Sequence, residues 1–237
     1  MSKNKGTLYL IPNVIADETA PAVIAEQVRE VVKDTQYFLV ENIRTARRYI
    51  SSLKLGLTIE ELRFEVLDKK TKDTQLDQLM QPVLNGENVG IISESGCPGI
   101  ADPGALAVDF AHNKGIQVVP LVGPSSIFMA LMSSGFSGQS FAFSGYLPID
   151  KKRRIEAIKR LEKTAKDFHQ TQIFMETPYR NDHLFNDLVK NCNPNVKLCV
   201  AKDVSGKEEF IKTKTIAQWR KEKLTIGKFP TIFVLSV

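Results

Sequence analysis

Residues 93–104 read Ser-Glu-Ser-Gly-Cys-Pro-Gly-Ile-Ala-Asp-Pro-Gly, placing three glycines, two prolines and two carboxylates in twelve positions. Glycine lets backbone approach a ligand closely and take positive φ. The prolines stiffen the segment, and Glu94 and Asp102 make it acidic. No G-x-G-x-x-G and no G-K-[ST] occurs, so neither a dinucleotide fingerprint nor a P-loop is indicated. An acidic, backbone-rich loop suits a ligand that is cationic or carries amine and hydroxyl donors. The same residues also describe a tight turn capped by Asp102, with Pro103 opening a helix. Spacing leaves both readings open.

The flanking sequence supplies the frame for this loop. "GTLYLI" (6–11), "YFLVEN" (37–42), "NVGIIS" (88–93) and "IQVVPLV" (116–122) read as short buried strands. Helical periodicity fills the spaces between them, over 19–34, 43–53, 74–86 and 104–114, with Gly86 and Gly115 as stops. Alternating strand and helix predicts a mostly parallel sheet, whose ligands collect outside the carboxyl ends of the strands. The glycine loop, the loop after Ile11 and the Glu41-Asn42 pair all fall at such ends. Gly123-Pro124 breaks the pattern, and Ser125-Ser126 opens a helix over "IFMALM". Strands at 141–147, 171–177, 196–204, 208–215 and 230–237 follow, with helices at 151–166, 178–191 and around Trp219. Two α/β domains are therefore expected: residues 1–122, mostly parallel, and residues 123–237, with more antiparallel pairing.

Bulk properties narrow the function classes. The 237 residues are 43% hydrophobic and 25% charged, ordinary for a globular protein, and no apolar run approaches bilayer length. No basic N-terminal segment precedes an apolar stretch, so a cytoplasmic protein without a signal peptide is expected. Cys97, Cys192 and Cys199 form no C-x-x-C pair, and His112, His169 and His183 lack ligand spacing. Neither a disulfide framework nor a metal site is expected. The net charge of +5 permits a nucleic-acid partner without requiring one. Eight Lys or Arg fall between Lys151 and Lys166, against Glu156 and Glu162. They read either as a solvated helix face or as a surface that meets phosphates.

Several segments in order carry a resemblance: "GTLYLI", "ENIR" (41–44), "VGIISESGCPGIADPG" (89–104), "VVPLVGPSS" (118–126), "FSGYLP" (143–148) and "FMETPYR" (174–180). Together they resemble the tetrapyrrole methylase superfamily of S-adenosylmethionine-dependent methyltransferases. The likeness is greatest to its branch that methylates a ribose 2′-hydroxyl of small-subunit ribosomal RNA. It runs from Gly6 to about Asp203. It implies two α/β domains flanking a cleft that holds S-adenosylmethionine. Gly96, Cys97, Pro98, Ile100 and Ala101 would contact the cofactor, mostly through backbone, and Ser125 and Ser126 would add polar contacts. Met175, Ala201 and Thr231 would wall the adenine, although Met175 reads equally as core. A homodimer is also implied.

Departures from the pattern concentrate on the substrate side. Ile11-Pro12-Asn13-Val14-Ile15 lacks the glycine that the ribosomal branch carries after its first strand, and more completely lacks the G-x-G-x-G-D of the tetrapyrrole branch. Asn42 replaces an aspartate, Glu94 replaces another, Cys97 stands for a threonine, and "FEVLDKKTKD" (64–73) holds no histidine. Methyl transfer from a sulfonium is a direct displacement, which the protein promotes chiefly by alignment. A hydroxyl nucleophile must also lose a proton, and Glu41, Glu176 and Lys202 are the candidates to take it. Arg44, Arg47 and Arg180 are candidate phosphate contacts or ion-pair partners. Ribosomal RNA is the expected substrate. A tetrapyrrole-like substrate and a non-catalytic cofactor- or RNA-binding role are the alternatives.

Overall fold

The computed structural model describes residues 4–237, which divide into two units, one ending at Ser125 and the other Ser126–Val237. The first unit holds β1 (Thr7–Ile11), α1 (Ala20–Val23), α2 (Glu26–Lys33), β2 (Tyr37–Val40), α3 (Ile43–Ser52) and a 3₁₀ turn (Ile59–Glu61). It continues with β3 (Arg63–Val66), α4 (Asp73–Leu79), α5 (Gln81–Leu84), β4 (Val89–Ile92), α6 (Gly104–Asn113) and β5 (Gln117–Pro120). Its five strands are all parallel, in the order β3-β2-β4-β1-β5. A parallel sheet is covered on both faces, which is why its strands read as continuous apolar runs. Ile11, Phe38, Val40 and Ile92 pack with Val28 and Val32 of α2 and Ala46, Tyr49 and Ile50 of α3. On the other face Leu8, Leu39 and Ile91 pack with Met80 and Val83 and with Ala107, Phe110 and Ala111 of α6.

This order creates a switch point. The chain leaves β1 for β2 on one side of the sheet, and leaves β4 for β5 on the other. The loops after β1 and β4 diverge from adjacent strands, the place where open α/β sheets take ligands.

The expected helices over 19–34 and 74–86 are each interrupted. Ile24 and Ala25 take extended backbone between α1 and α2, and the buried Ala20 carbonyl accepts from the Ile24 N–H at 3.1 Å and from Arg29 Nη2 at 3.0 Å. Pro82 has no N–H to donate within a helix, so α4 ends and α5 restarts at Met80. Strand β3 goes beyond the sequence reading. It is a four-residue edge strand with Val66 42% exposed, too short and too open to show periodicity.

The second unit holds α7 (Ser126–Ser134), β6 (Phe141–Tyr146), α8 (Lys151–Phe168), β7 (Thr171–Glu176), a 3₁₀ turn (Pro178–Arg180) and α9 (Asn181–Asn191). Then come β8 (Lys197–Lys202), β9 (Phe210–Thr215), α10 (Ile216–Trp219) and β10 (Thr231–Ser236). The strand order is β6-β7-β10-β8-β9, and only β6 and β7 run parallel. Its core sets Ile158 and Leu161 of α8 and Leu184 and Leu188 of α9 against Phe174 and Phe233. Trp219 is fully enclosed there, its indole N–H donating to the Leu198 carbonyl at 2.9 Å. Arg154, one of the eight cations of α8, does not face solvent. It is 8% exposed and donates through Nε and Nη2 to Asp187 of α9 at 2.9 and 2.7 Å, pinning the two helices.

Candidate functional site

The switch point of the first unit gathers the chemistry-bearing residues. Asn13, two positions past the end of β1, is 2% exposed. Its Nδ2 donates to the Ser93 and Glu94 carbonyls at 3.0 and 3.1 Å, and its backbone N–H donates to the Gly96 carbonyl at 2.9 Å. Ser93 Oγ donates to the carbonyls of Ser95 and Gly96, both at 3.1 Å. Asp102 Oδ1 accepts from the backbone N–H of Gly99 at 2.7 Å and of Gly104 at 2.8 Å. A Cβ at Gly104 would stand 2.9 Å from that oxygen, so only glycine fits there. Thus the turn and the glycine loop are one object: α6 starts at Gly104 with Pro103 as its N-cap residue, and Asp102, one position earlier, accepts the first helical N–H and holds the loop in shape.

The loop backbone takes left-handed φ at Gly96 (+70°), Gly99 (+82°) and Ala101 (+63°). Gly96 and Pro98 are buried, and the missing Cβ of Gly96 would point at Ile15 and the Pro124 carbonyl. At Gly99 a Cβ would meet nothing closer than 4.0 Å, and Ile100 beside it is 51% exposed. The open side of the loop is therefore the backbone arc of residues 99–101. Cys97 is half-buried, with Sγ 3.4 Å from the Pro124 carbonyl. Burial, then the Asp102 charge, pushes its thiol pKa up, which leaves it a packing group.

Glu41 follows β2 and shares a small cavity with Asp102, Ser93 and Leu67. Burial raises its carboxyl pKa, and the Asp102 and Glu94 charges add to the rise; a hydrogen bond from the Glu94 backbone and the Lys69 charge oppose it. Asp102 is raised by burial, against its two backbone hydrogen bonds, and its Oδ2 is buried without a partner. Two carboxyls of raised pKa beside a third carboxylate form a proton-accepting cluster. Asn42 is the N-cap of α3, its Oδ1 accepting from Arg44 N at 3.0 Å and Thr45 N at 3.2 Å. An aspartate would do the same, so this departure costs the fold nothing. Arg44, Arg47 and Arg48 are exposed along α3, and among the described residues Arg44 pairs with no carboxylate.

The second unit holds the remaining candidates at the carboxyl end of β7. Glu176 has a side chain 0% exposed, and its Oε1 accepts from Arg180 Nε and Nη2 at 3.0 and 2.6 Å and from Thr177 N at 2.7 Å. Its Oε2 and Asn181 Oδ1 are buried acceptors without partners. Met175, Ile232 and Ala201 lie in register and share one sheet face. Thr231 pairs with Glu176 and Lys202, so its side chain shares the opposite face, where Oγ1 contacts Asn181 Nδ2 at 3.4 Å. Lys202 Nζ sits 4.6 Å from the Phe229 ring centroid. Ser125 and Ser126 are half-buried at the junction of the units in sequence. Sequence reading missed Asn13, Ser93 and Asn181 as site-shaping residues. The only signal for Asn13 was a polar residue two positions past a buried strand.

The sequence profile of the Tetrapyrrole (Corrin/Porphyrin) Methylases matches residues 13–219. A "Ribosomal RNA small subunit methyltransferase I" of Buchnera aphidicola subsp. Schizaphis graminum is 30% identical over 228 residues, covering 93% of this chain and 75% of that protein. The crystal structure of the methyltransferase CobJ superposes with a TM-score of 0.64 at 17% identity, covering 98% of this chain and 94% of the other. That of a uroporphyrin-III C-methyl transferase from Thermus thermophilus, complexed with S-adenyl homocysteine, does so at 0.58 and 16%, covering 98% and 97%. With the profile spanning the switch-point loops, the glycine loop and most of the second sheet, this chain belongs to the tetrapyrrole (corrin/porphyrin) methylase family and is a methyltransferase.

Proposed function

We propose that this chain methylates RNA of the small ribosomal subunit, with S-adenosylmethionine as methyl donor. The observation that carries the reading is the open backbone arc at 99–101, fixed from behind by Asp102 and Asn13 at the switch point. An exposed loop of left-handed backbone with no Cβ at Gly99 suits close approach of a cofactor rich in donors. The relative's name supports the RNA substrate, and so do the exposed arginines of α3, the helix that follows Glu41.

The cofactor supplies an electrophilic methyl group on a sulfonium. In the first unit Cys97, Ile100, Ala101, Ser125 and the Gly96 and Pro98 backbone would hold it; the second unit's candidate contacts, taken by themselves, are Ser126, Met175, Ala201 and the Thr231 backbone. Glu41 takes the proton from the attacking ribose 2′-hydroxyl, its raised pKa making it a better base than an ordinary carboxylate. Arg44 and Arg47 hold flanking phosphates. Glu176 positions Thr177 to Arg180, and Lys202 lines the same strand end. A ribosomal substrate places the protein in the cytoplasm. A homodimer is supported by α7, which is apolar all round yet leaves Phe128 53% and Met132 82% exposed.

The test is transfer of a labelled methyl group from S-adenosylmethionine to purified small subunits, with uroporphyrinogen as a parallel acceptor. Label in the RNA, resistant to alkaline cleavage at one nucleotide, is expected. Label in the tetrapyrrole alone would overturn the RNA reading. Calorimetric cofactor binding, lost in Gly96→Val, checks the loop.

A further inference from the structure

The second unit carries a feature that the methyl-transfer site does not use. An open groove of about 630 Å³ runs between the last turns of α8, the end of α9 and Arg220 after α10. Five cations line it: Lys159, Lys163, Lys166, Lys190 and Arg220. Only two carboxylates join them, Glu162 and Asp167. Both are engaged: Asp167 pairs with Lys163, and Glu162 accepts from the Asn193 backbone N–H at 3.3 Å. Lys159, Lys166 and Lys190 are exposed and make no ion pair among the described residues.

The groove is built rather than incidental. Lys159, Lys163 and Lys166 follow one another at i, i+4 and i+7, a single stripe about 10 Å long. The stripe lies opposite the one that buries Ile158, Leu161 and Ala165. Arg220 is fixed at the rim, its Nε donating to the Val189 carbonyl and its Nη2 to the Cys192 carbonyl, both at 2.9 Å. Cations from α8, from α9 and from Arg220 just past α10 on one concave surface make an electrostatic footprint for a polyanion. A small organic anion would need neutral donors converging on a closed pocket. This surface is open and multiply charged, which suits a phosphate backbone tracking along it. The groove also lies away from the strand end that carries Glu176. Helix α8 starts beside that end, and Lys159 to Lys166 lie about 12–22 Å further along its axis.

We propose that this groove is a second RNA-docking surface, which binds the phosphate backbone of the substrate RNA at a distance from the methylated nucleotide. The proposal rests on the RNA reading above. Phosphate contacts position without reading sequence, so the groove contributes affinity and orientation and leaves the chemical step to the other site.

The experiment measures binding of small subunits, and of small-subunit RNA stripped of protein, between 50 and 200 mM salt. Wild type is compared with K159Q/K166Q/K190Q and with K33Q/K212Q/K223Q, which removes the same charge from scattered exposed lysines. The groove variant is expected to flatten the slope of log affinity against log salt by about 2 for both ligands. At low salt it should bind about 10–100-fold more weakly, raise KM for subunits similarly, and keep kcat and cofactor affinity at wild-type values. Equal slopes for the two variants would overturn the groove while leaving the RNA reading intact. Loss with whole subunits but not with stripped RNA would assign the surface to an acidic protein and also overturn it. Failure of wild type to bind or methylate subunits at all would overturn the RNA reading itself.

Discussion

Glu41 and Glu176 each stand at the carboxyl end of a strand, one in each unit, and they are built in opposite ways. Glu41 is half-buried among like charges, Asp102 and Glu94, and its pKa is raised. Glu176 is sealed from solvent and clamped by the Arg180 guanidinium and a backbone N–H. The first arrangement keeps a carboxyl ready to exchange a proton; the second holds a carboxylate still. The parallel sheet makes this difference, because it delivers several loops to one edge and crowds their polar groups together. In the mixed sheet, the chain after β7 passes through one 3₁₀ turn into α9, and the Arg180 of that turn pairs locally with Glu176.

The comparison breaks first on turnover. Glu41→Gln is expected to lower kcat about 10²–10⁴-fold with cofactor affinity unchanged, measured by single-turnover methyl transfer. Glu176→Gln should instead act on stability. Leaving Arg180 unpaired is expected to cost about 2–3 kcal/mol in urea unfolding, below the ~3–5 of a fully buried pair because the Arg180 side chain is 28% exposed. If Glu176→Gln lost turnover at unchanged stability, the two roles would have to be exchanged.

Asp102→Ala removes both loop hydrogen bonds and should weaken S-adenosylmethionine binding about 10–100-fold by calorimetry, whereas Asp102→Asn keeps an acceptor and recovers most of it.

The smallest effects concern pH. Because the Glu41 pKa is raised, its base form is lost as pH falls through a value above the ordinary carboxylate range. Glu94→Gln removes one of the like charges, so the acid limb of the kcat profile should move to lower pH. The stability sign is opposite to that of a salt-bridged carboxylate. Glu41 favours the fold most below its unfolded pKa and loses that contribution as pH rises through its folded value. Glu41→Gln should therefore gain thermal stability toward pH 8, by no more than about 2 °C in Tm.

Much of the fold was legible because periodicity is local. The four strands read in the first half, with the long basic helix and the terminal strand, lie where their apolar spacing put them. The exceptions have local causes of another kind: Pro82 interrupts one helix, and β3 is too short and exposed to leave a pattern. For the site, the glycine loop and its Asp102 cap could be read from residue types within one turn. The Asn13 staple could not, since its partners Ser93 and Glu94 lie about eighty positions away.

By itself the sequence determined the α/β alternation, the glycine loop and the family, because backbone-shaping residues and hydrophobic spacing act on their own neighbourhood. The tertiary structure alone decided which carboxyl is poised and which is clamped, which arginine of α8 is buried, and that lysines from separate helices share a groove. Those properties depend on desolvation and on charges that only folding brings within a few ångströms of one another.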